Sequence, residues 1–538
     1  MDSEDIFRQL TVGASFNSKL NLKDIRIPGA ITPSRNENIQ PGKPKRKKDE
    51  NDTENDQQNE KSDDTKVNLR KQMRIFVQGT DVPDLVENFN QLEEKFGVHS
   101  ICVKNLTERF GFSALSPIQM QAIPAMLDGR EILACAPTGS GKTLAFLVPV
   151  VSHLLNVKKT KKGKNIRALI LSPTRELAEQ TFSECKKLIR SENDEENEKI
   201  HKDLLNIRLM DKNLVKSFTE KKKQTCDIDL LISTPNRIIH LIKQETPILK
   251  LDSIEWLVVD ESDKLFEDGK EDASFRDQLG RIYSACENPK IRRAMFSATF
   301  AHDVQQWCVL NMDNVLQVTV GGKNTATSSV KQELKYVGNE QGKLLAMQDI
   351  IRGGFAPPAL VFVQSKERAK ELYAELVYDG INIDAIHGDR TPEQREKAIQ
   401  SLHAGTTWVM ICTEHMGRGM DFQNVNLVVN YDFPNSAVTY IHRIGRTGRA
   451  GRTGRAITLF TDQDRALLRS IANLIKEAGC DVPEYMLKMK KMSKEERKKT
   501  AKTQTKRNTI RTAPPDILKR AKKRKTEIKN KKIQKLKE

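Results

Sequence analysis

Five short apolar runs, Glu131–Ala136, Ala168–Ser172, Asp229–Ser233, Trp256–Val259 and Ala294–Ser297, alternate with stretches of helical periodicity. After Gly321–Ser329, rich in Gly, Thr and Ser, a second series repeats the scheme at Ala359–Val363, Asp384–His387, Trp408–Cys412, Leu427–Tyr431 and Ala456–Phe460. Continuous hydrophobicity over so few residues suits a strand covered on both faces, as in a parallel sheet. Strands that alternate with helices need crossover connections and so build parallel sheets flanked by helices. The chain is therefore predicted to be α/β, with two such domains joined by a flexible hinge and a cleft between them.

At 538 residues there is length for two or three domains. The hydrophobic fraction of 37% is low and the charged fraction of 30% high, as expected when disordered segments flank folded ones. Residues 1–68 are polar and lack apolar periodicity, so they are read as disordered. They contain Lys43-Pro44-Lys45-Arg46-Lys47-Lys48, either a basic cluster of the nuclear-import type or a plain solvated charge run. A second polar stretch, from Ser191 to about Asp203, is read as a surface loop. The net charge of +18 sits almost wholly in one place, because 22 Lys or Arg face 5 Asp or Glu between Lys488 and Glu538. Such a tail suits an anionic polymer, nucleic acid above all. The eight cysteines are scattered and form no CxxC pair, which indicates neither a zinc site nor a disulfide framework. Reduced thiols of a nuclear or cytosolic protein fit best. No apolar segment is long enough to span a membrane and the opening Met1-Asp2-Ser3-Glu4-Asp5 does not read as a signal peptide, so no membrane partner is expected.

The first apolar run leads into Ala136-Pro137-Thr138-Gly139-Ser140-Gly141-Lys142-Thr143. Glycines there let backbone N–H groups close around phosphate oxygens at a helix N-terminus. Lys142 would reach the β- and γ-phosphates, and the Thr143 hydroxyl would ligate Mg²⁺. The general pattern opens with Gly, where this chain has Ala136. The fourth run drives into Asp260-Glu261-Ser262-Asp263. Ligands bind outside the carboxyl ends of parallel strands. Asp260 is thus placed to hold the Mg²⁺ that Thr143 also holds, and Glu261 to orient and deprotonate an attacking water. The second series supplies His442-Arg443-Ile444-Gly445-Arg446-Thr447-Gly448-Arg449. Arg446 and Arg449, three apart, would share a helical face and stabilise the charge that develops in phosphoryl transfer.

In this order, over about residues 80 to 480, the motifs resemble those of the DEAD-box RNA helicases. The resemblance implies two tandem RecA-like domains, an ATP-binding domain over 69–322 with a Q motif over 87–121, a linker over 323–332 and a C-terminal helicase domain over 333–485. The basic tail is then 486–538. By the same resemblance Gln119, within Gly111-Phe112 to Ile118-Gln119, would read the adenine edge, and Phe89 would pack on the ring. Pro173, Thr174 and Arg175, then Thr234 and Arg237, match blocks that contact RNA backbone. Gln364, Ser365 and Thr413 would lie toward RNA phosphates, and Asp421 toward ATP. Ser297-Ala298-Thr299 matches the triad that couples hydrolysis to strand separation, with Asp263 bonding toward it and toward His442.

Several positions depart from the family pattern. Ser262 replaces the alanine that names it, Asn236 stands where glycine is usual, and Leu115 replaces a proline. The interval from Phe89 to Gly111 is longer than usual, and no clear Gly-Gly motif precedes Thr234. Since all three carboxylates remain, Ser262 is expected to mark a subgroup with hydrolysis intact. Arg74-Ile75-Phe76-Val77-Gln78-Gly79-Thr80-Asp81-Val82-Pro83, together with Asp260–Phe266, is similar to the Rok subgroup. That similarity implies an ATP-dependent helicase acting in the nucleus and nucleolus, as a monomer, on pre-rRNA with small-subunit assembly factors. An ATP-gated RNA clamp or assembly scaffold would carry the same residues and stays open as an alternative.

Overall fold

The computed structural model describes residues 68–158, 165–190, 204–221, 228–243, 249–263, 275–299, 302–322, 329–377, 380–414, 422, 424–449, 452–490, 492–493, 496 and 507–510. Strands β1 (Ile75–Gln78), β2 (Ile132–Cys135), β3 (Ala168–Leu171), β4 (Ile207–Leu209), β5 (Leu230–Ser233), β6 (Trp256–Asp260), β7 (Arg292–Ser297) and β8 (Leu316–Val320) form one sheet. Their order is β1-β8-β2-β7-β6-β3-β5-β4, parallel except for the β1–β8 pair. A second sheet holds β9 (Val330–Tyr336), β10 (Ala359–Val363), β11 (Ile383–Ile386), β12 (Val409–Thr413), β13 (Leu427–Asn430) and β14 (Gly454–Phe460). Its order is β11-β12-β10-β13-β14-β9, parallel throughout.

The central strands are covered on both faces, and the pleat sorts their side chains between two cores. Ile132, Ala134, Ala168, Ile170 and Val258 join one cluster, while Leu133, Leu169, Leu171, Leu257 and Val259 join the other. In the second sheet Leu360 and Phe362 face one core, Val361 and Val363 its counterpart. Among the described residues no helix is long and apolar enough to cross a membrane.

Four strands were not anticipated. β1, β4 and β9 are edge strands and β8 reads Leu-Gln-Val-Thr-Val; β1 offers only the short run Ile75-Phe76-Val77, and the other three have none. β9 starts at Val330, inside the span read as linker. The span read as tail also contributes to the fold: Met486, on the helix Glu484–Lys488, is 2% exposed in the second core, and Ile510 is buried as well. The N-terminal segment, apart from Asn68, and the 191–203 insert lie outside the described residues, as does Asp421.

Candidate active site

Three neighbouring strands deliver the site at their carboxyl ends. Register pairs Cys135 of β2 with Ser297 of β7, and Asp260 of β6 with Phe296 of β7. The loop after β2, the Ser297–Thr299 turn and the acidic pair are therefore adjacent although far apart in sequence. The loop starts with Ala136 pinned by its N–H to the Ser297 carbonyl at 3.1 Å. It ends in the helix Lys142–Lys158. Lys142 Nζ donates to the carbonyls of Ala136 and Pro137 at 2.7 and 2.8 Å. Burial lowers the pKa of its amine, opposed by Asp260 and Glu261. Gly141 has φ +89, and a Cβ there would meet Gln119 Nε2 at 2.6 Å. That approach is what lets Gln119 donate to the Gly141 carbonyl at 3.2 Å.

Asp260 is 5% exposed and accepts from the Glu261 N–H at 2.9 Å. Burial, then the neighbouring Glu261 charge, push its carboxyl up to about 7 against the pull of Lys142. Glu261 itself sits at φ +48, unusual for a side-chain-bearing residue, and its Oε2 is buried with no hydrogen-bond partner among the described residues. The structure thus spends strain and an unpaired oxygen at one carboxylate beside the phosphate loop. Ser262 is fully buried, and its hydroxyl also has no partner among the described residues. Ser262→Ala is therefore expected to leave kcat within about twofold and to keep or raise the melting temperature, because deleting an unpaired buried hydroxyl removes a cost. Steady-state hydrolysis and thermal melting of the variant check this.

Asp263 Oδ2 accepts from Thr299 Oγ1 at 2.6 Å and lies 2.9 Å from His442 Nε2. The Thr299 N–H donates in turn to Ser297 Oγ at 3.2 Å. His442 is carried by the helix Ala437–Ile444, which follows β13 of the second sheet. One buried chain of contacts thus runs from the Ser297–Thr299 turn through Asp263 into the other domain. Thr138 Oγ1 donates to the Gly445 carbonyl at 2.8 Å, a second bridge, and Arg395 pairs with Glu176 as a third.

Between the domains lies a cavity of about 440 Å³. Its wall includes Thr138, Gly139, Gly141, Lys142 and Thr143, both Asp260 and Glu261, and Arg446 and Arg449 from the opposite side. Arg446 Nε donates to the His442 carbonyl at 3.2 Å and Arg449 Nε to the Gly445 carbonyl at 2.9 Å, so both guanidiniums are aimed from one short helix end. Within the loop Ser140 has a buried hydroxyl without a partner among the described residues. Phe89 opens the helix Phe89–Glu94 and packs partly buried against the first core. Phe110 and Phe112 are on the cavity wall, their rings stacked at 5.7 Å and 18°. The Gly111-Phe112 pair of the sequence motif held the signal.

The remaining motif residues flank this site. Pro173 precedes Thr174, which caps the helix Arg175–Ile189 by accepting from the Leu177 N–H at 3.3 Å. Thr234 begins the helix Pro235–Ile242, whose Arg237 donates to the Met210 carbonyl. Burial, then the charge of Arg175, lower the pKa of Arg237. In the second domain Gln364 and Ser365 form the turn after β10, and Thr413 ends β12 at 8% exposure.

A phosphate-binding loop on one parallel-sheet domain, faced by arginines of a second across a shared cavity, defines a tandem RecA-like nucleoside triphosphatase. Residues 116–307 match the family model described as DEAD/DEAH box helicase, and residues 342–451 the helicase conserved C-terminal domain. The chain is 51% identical over 460 residues to "Probable ATP-dependent RNA helicase DDX52" of Bos taurus, covering 86% of this chain and 74% of that one. It is 42% identical over 449 residues to the ATP-dependent RNA helicase ROK1 of Saccharomyces cerevisiae, covering 83% and 77%. Among solved structures it is similar to S. cerevisiae Dbp5 bound to RNA and ADP BeF3, with TM-score 0.60, 25% identity, and 76% and 99% of the two chains covered. The chain belongs to the DEAD-box family of ATP-dependent RNA helicases, of the DDX52/ROK1 type. It is accordingly an RNA-dependent ATPase that uses ATP and binds RNA.

Proposed function

We propose that this helicase remodels pre-rRNA during small-subunit assembly in the nucleolus, acting as a monomer, with hydrolysis performed at the cavity shared by its two domains. The observation that carries the site is that Lys142, Asp260 and Glu261 of one domain and Arg446 and Arg449 of the other line a single cavity. ATP enters with its phosphates against the Ala136–Thr143 loop, where Lys142 leaves the loop's own carbonyls for phosphate oxygens. Gln119, held on the Gly141 carbonyl, meets the adenine edge, and Phe112, 37% exposed, covers the base. Glu261 takes a proton from the attacking water through its unpaired oxygen. Arg446 and Arg449 stabilise the charge developing on the transferred phosphoryl group.

Asp260 and Thr143 fit a magnesium ion. Asp260 is a buried carboxyl whose ionisation a dication would favour, and among the described residues no cluster of three or more His, Cys, Asp or Glu forms a closed cage. Few protein ligands plus phosphate oxygens is the set Mg²⁺ prefers, and there it would neutralise phosphate charge. Contacts from Pro173, Thr174, Arg175, Thr234 and Arg237 on one domain and Gln364, Ser365 and Thr413 on the other grip RNA backbone. The Asp263–His442 contact crosses between the domains while the Asp263–Thr299 bond stays within the first, so domain closure ties the Ser297–Thr299 turn to the second domain and RNA grip to hydrolysis.

Similarity to DDX52 and ROK1 supports the ribosomal assignment, and the +17 tail supports an RNA-rich compartment. Crosslinking the protein to RNA in cells, followed by sequencing, is expected to recover small-subunit precursor rRNA. Recovery of messenger RNA without precursor rRNA would overturn the assignment. Displacement of a short RNA duplex by the purified protein with ATP separates the helicase from a clamp.

A further inference from the structure

Residues 507–510 lie against the second domain. The Arg507 side chain is 3% exposed, and its guanidinium donates to Asp464 Oδ1 at 2.8 Å and to Gln364 Oε1 at 2.9 Å. It stands 3.6 Å from Asp432 and 3.7 Å from Glu340. The same two carboxylates hold Lys343, Glu340 at 2.9 Å and Asp432 at 3.1 Å, and Arg368, at 2.6 Å each. Three buried cations thus meet three carboxylates. Burial would raise the pKa of Asp432, but Lys343, Arg368 and Arg507 outweigh it and hold the carboxyl well below its usual range. Two further ties fix the segment. Arg368 donates to the Asn508 carbonyl at 2.6 Å, and the Ile510 N–H donates to Glu371 Oε2 at 3.1 Å. Ile510, 5% exposed, closes the core beneath β10.

This strap touches the turn through Gln364. The Gln364 N–H donates to Asp432 Oδ2 at 2.9 Å, and Ser365 Oγ accepts the Arg368 N–H at 3.3 Å as the cap of the helix Lys366–Leu376. With its Oε1 held by Arg507 and its N–H by Asp432, Gln364 is fixed at both side chain and main chain, and with it the turn it opens. We propose that Arg507–Ile510 is a strap that sets the Gln364–Ser365 turn for RNA, with Arg507 as a positioning residue for RNA binding. The inference rests on the reading of that turn as RNA-facing. It makes the root of the basic tail a built part of the second domain, distinct from a loose reservoir of charge.

The test uses the full chain and measures ATP hydrolysis against RNA concentration for the parent, Arg507→Ala, Arg507→Lys, Ile510→Ala, Gln364→Ala and the Arg507→Ala/Gln364→Ala double variant. Arg507→Ala is expected to raise the half-saturating RNA concentration about five- to tenfold, the scale of one charged hydrogen bond. kcat at saturating RNA and the KM for ATP should stay within about twofold, since no atom of Arg507 meets the nucleotide cavity. Arg507→Lys should recover part of the loss, and the double variant should be no worse than Gln364→Ala. Should Arg507→Ala fail to fold, Ile510→Ala, which loosens the strap and keeps its charge, must show the same rise. Unchanged half-saturation in a folded strap variant, a fall in kcat alone, or additive losses in the double variant would overturn the proposal. A parent protein whose hydrolysis ignores RNA would overturn the RNA-facing reading as well, so the two failures are distinguishable.

Discussion

Glu261→Gln is expected to lower kcat for RNA-stimulated ATP hydrolysis by about 10²- to 10⁴-fold, the range for loss of a general base. Nucleotide affinity should change little, because the substitution keeps the side chain's size. The structure gives Glu261 the features of a working base. It sits at φ +48 at the end of a buried strand, on the wall of the cavity shared by the two domains, with one carboxylate oxygen unpaired among the described residues. An amide there still accepts a hydrogen bond but cannot take a proton. Single-turnover hydrolysis with pre-bound ATP isolates this step from binding and release. Turnover within tenfold of the parent would assign the base elsewhere.

Arg446→Ala and Arg449→Ala should each lower kcat by about 10³-fold, as removal of a trans-acting arginine does in phosphoryl transfer. Neither side chain belongs to the domain that carries the phosphate loop, so ATP binding to the open form should survive. Geometry also separates these residues from Arg443 on the same helix end. Arg443 bonds the Asp432 carbonyl at 2.7 Å and pairs with Glu414, and it is absent from the cavity wall. Its loss should therefore show as instability of the second domain. Lys substitution at Arg446 or Arg449 is expected to restore little, since an ammonium lacks the planar fork.

What the sequence disclosed follows from where each element is buried. Strands covered on both faces stand out as runs: β3 and β10 are apolar at every position, and β6 is apolar until its last residue, Asp260. β9 alternates buried and exposed residues through Val330-Lys331-Gln332-Glu333, and an edge strand of that kind merges with its polar surroundings. The phosphate loop and the acidic pair were legible because each is continuous in sequence and its spacing is imposed by one turn. The aromatic wall was not. Gly111 at φ +67 turns the chain there, and Phe110 and Phe112 stack on each other at the cavity wall, a placement that no apolar run in the sequence marks. Arg507 shows the same limit from another side. Among the tail's 22 cations nothing in composition distinguishes the one that finds Asp464, Asp432 and Glu340, because those carboxylates converge only once the second sheet has formed.

Gly445→Val tests whether hydrolysis requires the second domain to close on the phosphate loop. Gly445 meets Thr138 at the closed face, and a Cβ built there would stand 2.0 Å from Thr138 Oγ1 and 3.0 Å from the Ile441 carbonyl. The residue has φ −67, so the substitution demands no left-handed backbone; the Ile441 carbonyl must give by a few tenths of an ångström, and the overlap with Thr138 is the larger one. The measurement is ATP affinity beside RNA-stimulated ATP hydrolysis for the parent and the variant. Retained nucleotide binding with RNA-stimulated turnover reduced about a hundredfold or more is the predicted result. RNA-stimulated turnover equal to the parent's would contradict the account, because the chemistry would then proceed without that closure.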